Sequence, residues 1–294
     1  MPTGAPVDRA STIIDSHCHA WRRWPYSPLV PDEDSRGTID QLIYEMDANG
    51  VGQALVVCAA IENNPDNVDY AWFAQERHPG RLHVVADLDC TWSTTYHVPG
   101  SADRLRSLTE RYSLAGLAHY LADENDGWLL SDEADALFAV AAERGLLVSL
   151  GAGTEWHADL RVLAGRYPSV PVLCQTLGGV KAAEGPDSPG LAEVVASAEV
   201  PSIYLKVAGF HYASERSWDY PWPDVIAVLS RLYDAYGPHR LCWGSDFPAA
   251  TRFCTFRQSL EVVRRHCPFF APEDLPLVLG ETLQRVLAER HAAH

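Results

Sequence analysis

Residues 53–59 read Gln53-Ala54-Leu55-Val56-Val57-Cys58-Ala59, apolar at nearly every position rather than at alternate ones. A strand with one wet face alternates. An apolar, β-branched run without alternation implies burial on both faces, the condition of a strand inside a parallel sheet. Seven further short apolar runs accompany it, at 12–15, 83–88, 114–119, 146–150, 171–175, 203–208 and 240–245. Between them lie segments with helical apolar spacing, near 38–50, 66–78, 101–112, 132–144, 157–167, 189–199, 223–236 and 256–265, with a last near 273–290. Eight strand–helix units in 294 residues predict a single-domain α/β protein, a (β/α)8 TIM barrel over 11–294. A doubly wound sheet is the competing arrangement. It usually has fewer strands and often a Gly-rich first turn, which this chain lacks. Residues 1–10 carry Asp8 and two prolines and read as a disordered lead-in.

The chain is 47% hydrophobic and 21% charged, the profile of a globular protein with a large core. Its net charge of -16 argues against nucleic acid, which needs a basic footprint, and against an anionic membrane surface. The expected partner is a small-molecule substrate. Lys181 and Lys206 are the only lysines, an Arg-for-Lys bias that suits a GC-rich bacterial source. No apolar stretch reaches the roughly 20 residues of a membrane span, and the first residues lack a signal core, so cytoplasm is the default. The seven cysteines are odd in number and form no C-x-x-C pair, which predicts buried, reduced thiols. A nucleophilic Cys174 and a liganding Cys18 are the alternatives.

Chemistry concentrates in Ile13-Ile14-Asp15-Ser16-His17-Cys18-His19. In a strand, residues two apart share a face, so His17 and His19 project together and suit a metal ion or a polarised carbonyl. Far along the chain, Trp243-Gly244-Ser245-Asp246 again places an acid after an apolar run. Active sites of (β/α)8 barrels lie at the C-terminal strand ends. That gathers His17, His19, His119, Gln175, the 209–211 stretch with His211, and Asp246 around one mouth. Lys206 sits inside an apolar strand, which is costly without a partner. An interior ion pair, a substrate contact and an outward position all remain open for it. Trp21, Trp24, Tyr26, Trp92, Tyr96 and Trp128 fall mostly in loops after strands, either lining a flat apolar site or packing the loops.

These motifs resemble the amidohydrolase-related (amidohydrolase 2) family, in the branch with dicarboxylate lactonases, sugar lactonases and metal-dependent decarboxylases. The matching residues are Asp15-Ser16-His17-Cys18-His19, Ala48 to Leu55, Gly80-Arg81-Leu82-His83, Tyr204 to Gly209 and Gly237 to Pro248. The resemblance implies the barrel, a hydrolase-like or lyase-like site, and frequent self-association, hence a homo-oligomer. Three positions depart from the family pattern. Gln175 stands where a histidine is usual, His119 where many lactonase-like members carry arginine, and Gly280-Glu281-Thr282-Leu283 where an Asn-Ala pair is usual.

Three activities stay open. The leading one is hydrolysis of a lactone, ester-like or cyclic amide bond, with Asp246 as general base and His17 and His19 polarising the carbonyl or holding zinc. Gln175, His119, His211 and Lys206 are the expected substrate contacts. Because Gln175 is a poor zinc ligand, metal-free operation is also open; His17, His19 and Asp246 form the candidate ligand set. The second activity is metal-dependent, non-oxidative decarboxylation of an aromatic or unsaturated acid. The third is a metal-free cyclase, isomerase or ligand-binding barrel with a degenerate site.

Overall fold

Each of the eight apolar runs forms a strand in the computed structural model, which describes residues 12–292; the lead-in expected over 1–10 lies outside the described residues. The strands are β1 (Ile13–Cys18), β2 (Val51–Cys58), β3 (Leu82–Asp87), β4 (Gly116–Tyr120), β5 (Leu147–Gly151), β6 (Val172–Cys174), β7 (Ile203–Val207) and β8 (Leu241–Trp243). Each pairs in parallel with the next, in sequence order, as a (β/α)8 barrel requires. The doubly wound alternative is excluded by that order.

The helices are α1 (Ile39–Asn49), α2 (Asn67–Arg77), α3 (Ser101–Arg111), α4 (Asp132–Glu143), α5 (His157–Arg166), α6 (Pro189–Ala196), α7 (Phe210–Ala213), α8 (Pro223–Tyr236), α9 (Phe256–His266) and α10 (Thr282–Ala292). Their starts follow local chemistry. The Thr38 hydroxyl accepts from Gln41 N to cap α1, and Thr255 with Gln258 closes a capping box on α9. No helix among the described residues is long and apolar enough to cross a membrane.

Alternation within the strands divides their side chains between two layers. Residues such as Leu55, Val57, Leu147, Leu173, Tyr204 and Cys242 fill the barrel interior, where Leu283, Val286 and Leu287 of α10 join them. The other face packs against the helices. The segment before α10 comes so close to β1 that a Cβ on Gly280 would lie 2.0 Å from the Thr12 carbonyl oxygen. That contact accounts for glycine at the first position of the unusual Gly280–Leu283 stretch.

The last seam, between β8 and β1, is closed by side chains as well as backbone. The Asp15 carboxylate accepts from Ser245 N at 2.9 Å and from His17 N at 3.0 Å. Ser16 Oγ donates to the Cys242 carbonyl at 3.0 Å. Backbone bonds run from Asp246 N to the His17 oxygen at 2.8 Å and from His19 N to the Phe247 oxygen at 2.6 Å. Asp15 is fully buried, and burial pushes its carboxyl up to about 6 against the pull of these donors. Replacing Asp15 with Ala orphans two buried amides. At about 1–3 kcal/mol for each, the variant should lose roughly 2–6 kcal/mol of stability with an unchanged denaturant slope. Urea unfolding checks this; a midpoint at the wild-type value would show that the seam closes without the carboxylate.

Candidate active site

Two strand ends, those of β1 and β8, bring His17, His19 and Asp246 together at the barrel's C-terminal mouth. Between Asp15 and Cys18 the pairing of β1 with β2 shifts register, so the rings of His17 and His19 meet edge to face, 4.9 Å apart. Asp246 follows β8 in a left-handed conformation, with φ at 54°. A non-glycine residue rarely adopts that conformation, and the surrounding structure must hold it there. His17 Nε2 and His19 Nε2 lie 3.6 and 3.8 Å from Asp246 Oδ1.

The tautomer of His19 is set by its neighbour. Its Nδ1 is 2.8 Å from the Val57 carbonyl oxygen, which can only accept, so Nδ1 carries the proton. Burial holds the ring neutral by lowering its pKa to about 4. Nε2 therefore presents a lone pair toward the Asp246 carboxyl. His17 is also neutral, pushed well below its usual range by burial and then by Lys206. Asp246 Oδ2 and His211 Nε2, both buried, are 3.3 Å apart without hydrogen-bond geometry and have no other partner. Lone pairs and orphaned atoms converging on one point suit a cation. Among the described residues, His17, His19 and Asp246 are the group of three whose ligand atoms lie within 4.8 Å of one another. Three protein ligands with a fourth position open is the usual catalytic zinc arrangement.

Behind this cluster runs a polar chain. Lys206 Nζ donates to Ser149 Oγ at 2.6 Å and lies 3.3 Å from His17 Nδ1. Gln175 Nε2 donates to the same Ser149 oxygen at 3.0 Å. Lys206 is thus an interior group, fully buried, its pKa lowered to about 7 by burial. Asp246 is raised to about 8, chiefly by burial and then by the nearby Asp15.

Above the cluster opens a cavity of about 430 Å³, in the usual range for small-molecule sites. His17, His19, Asp246 and Gln175 form part of its lining, with Trp21, Tyr26, Trp92, Tyr120 and Tyr212. The other expected substrate contacts are not in that lining. Lys206 lies beneath His17. His211, on α7, packs behind Asp246 and under Phe253. His119 faces the helical layer, donating to the Leu88 carbonyl at 2.9 Å and lying against Trp128. The sequence ended the fourth strand at 119; β4 runs one residue further, and alternation turns Tyr120 inward in place of His119. Trp24, Tyr96 and Trp128 pack the loops. Asp15, Ser149, Tyr120 and Tyr212 escaped the sequence reading; the period-two count along β4 and β5 would have found Tyr120 and Ser149. All seven cysteines are buried and unpaired. Burial pushes Cys174 up to about 12, so its thiol stays protonated and is no nucleophile.

The chain matches the family described as "Amidohydrolase" over residues 14–287. A Burkholderia multivorans amidohydrolase with bound zinc superposes with a TM-score of 0.75 at 20% identity, covering 94% of this chain and 99% of that one. A protein named a probable 2-pyrone-4,6-dicarboxylic acid hydrolase, from Acinetobacter baumannii, gives 0.73 at 17% identity, with 94% and 99% covered. At these identities the likeness is one of fold. D-galactarolactone isomerase of Agrobacterium fabrum is 34% identical over 62 residues, 21% of this chain and 20% of that protein. The chain thus matches about a fifth of that relative's length.

Zinc titration against a chelating indicator should show saturable uptake of one ion per chain. His19→Ala and Asp246→Ala should weaken it by more than the roughly 10–100-fold that loss of a mere outer-shell partner costs. Absence of saturable uptake by the wild type would remove the ligand assignment.

Proposed function

The chain belongs to the amidohydrolase family, and from that premise we propose that it hydrolyses a lactone, ester-like or cyclic amide bond in a small molecule. The observation that carries the reading is the placement of Asp246, a buried carboxyl at the cavity lining whose Oδ1 lies 3.6 and 3.8 Å from His17 Nε2 and His19 Nε2. A base held at that point is within reach of a water at the floor of the cavity. The names of two similar proteins are compatible with a lactone-type substrate: one is a probable 2-pyrone-4,6-dicarboxylic acid hydrolase, the other a D-galactarolactone isomerase.

His17, His19 and Asp246 would hold a divalent metal, zinc fitting best. Such an ion polarises a carbonyl and acidifies water to a pKa of about 7. Asp246 takes the proton of the attacking water as the new C–O bond forms. It returns that proton to the ring oxygen or nitrogen as the old bond breaks, giving a hydroxy or amino acid. Gln175, anchored through Ser149, orients the substrate. His211 and Lys206 act one step back: His211 against Asp246 Oδ2, Lys206 against His17 Nδ1.

Asp246→Asn should lower turnover of a reactive lactone such as 3,4-dihydrocoumarin by about 10²–10⁴-fold, the usual worth of a positioned base, with the melting temperature kept. Turnover near wild type in the folded variant would end the assignment of Asp246 as base.

A further inference from the structure

We propose that this cavity selects an uncharged, flat aromatic ring system and discriminates against carboxylate substrates. The inference rests on the reading that the cavity is the substrate site, and it concerns recognition rather than the bond broken. Rings from the ends of β1, β3, β4 and β7 contribute to the lining. Two of them are pinned by their polar tips. Trp92 Nε1 donates to Asp87 at 2.8 Å, and Trp21 Nε1 to the Ala59 carbonyl at 2.7 Å. Trp92 in turn lies 4.7 Å from Tyr120, and a Cβ on Gly151 would strike the Tyr120 ring at 2.5 Å. Glycine at 151 thus lets that ring lie flat against β5. Pinned rings lose little freedom on binding, so they present ready-made stacking surface.

Apart from the metal site, the side chains of the lining supply no anion clamp. Among the described residues no arginine lines the cavity, and its ammonium group is Lys181, which donates to the Tyr212 carbonyl at an exposed position. The Arg252 guanidinium, which could have served, lies 4.4 Å over the Tyr26 ring and donates to the Tyr212 hydroxyl at 3.1 Å. It stiffens the wall from behind. Arg22 and Arg23 are paired with Asp66 and Glu33. The carboxylate of Asp123 is part of the lining, and the whole chain carries a charge of -16. Bidentate recognition of a carboxylate needs a free guanidinium fork, and a negative field repels anions.

The test uses the matched probes coumarin and coumarin-3-carboxylate, bound to the Asp246→Asn protein and followed by calorimetry, so that turnover plays no part. Coumarin should bind at least tenfold more tightly than its carboxylate. Trp92→Leu, at a partly exposed position that leaves the fold intact, should weaken coumarin by about threefold or more. Equal or tighter binding of the carboxylate, no binding of coumarin, or an unaltered affinity in the Trp92 variant would each overturn the proposal. Should coumarin preference hold while the wild-type protein turns over no lactone, the hydrolytic reading fails and the recognition reading stands.

Discussion

The seam between the first and last strands is the constraint on which the rest of this structure depends. A parallel barrel must join its ends across residues almost a chain length apart, and here a buried carboxylate does part of that joining. Asp15 accepts from amides on both sides of the seam. Those same bonds set the backbone of His17 and of the turn before Asp246. Barrel closure and site assembly are therefore one event: the interaction that completes the sheet also brings two imidazoles and a carboxylate within reach of one ion. The left-handed backbone of Asp246 is held by the same contacts.

The fold was legible because its signal is repeated. Eight apolar runs, each without alternation, leave little freedom in topology once a parallel sheet is accepted. The cluster of His17, His19 and Asp246 was legible for a related reason, since each residue ends a recognisable strand. The contacts around it were less so. His119 was placed in the mouth because its strand was ended one residue early, and in a strand an error of one residue exchanges the two faces. His211 was expected to touch substrate, yet the stretch after β7 turns at once into the short helix α7 and carries it behind Asp246. Asp15 was overlooked because nothing local distinguishes an acid that closes a seam from one that caps a turn; its partner Ser245 is 230 residues away.

Gln175 shows how a departure from a family pattern is accommodated. A histidine at that strand end would offer an imidazole nitrogen to the cavity. The amide instead turns its nitrogen to Ser149, whose hydroxyl oxygen also receives the Lys206 ammonium. One serine on β5 thus ties β6 to β7 beneath the site. The polar chain from Gln175 through Ser149 and Lys206 to His17 crosses the barrel interior by direct side-chain contacts, so each member fixes the orientation of the next.

Charge balance explains why such a chain is tolerated in an apolar interior. Burial disfavours every charged form, and it pushes each of these groups that way: the histidines fall, the carboxyls of Asp15 and Asp246 rise, and Lys206 falls. With the imidazoles neutral, one ammonium faces two carboxyls. The interior then holds an excess of negative charge whenever both acids ionise. A proton on one of them relieves the excess, and so does a cation among His17, His19 and Asp246. The raised proton affinity of Asp246 and the convergence of unprotonated donors on it are two expressions of the same unmet charge. This is why the residues that make the interior costly are also the residues able to do chemistry there.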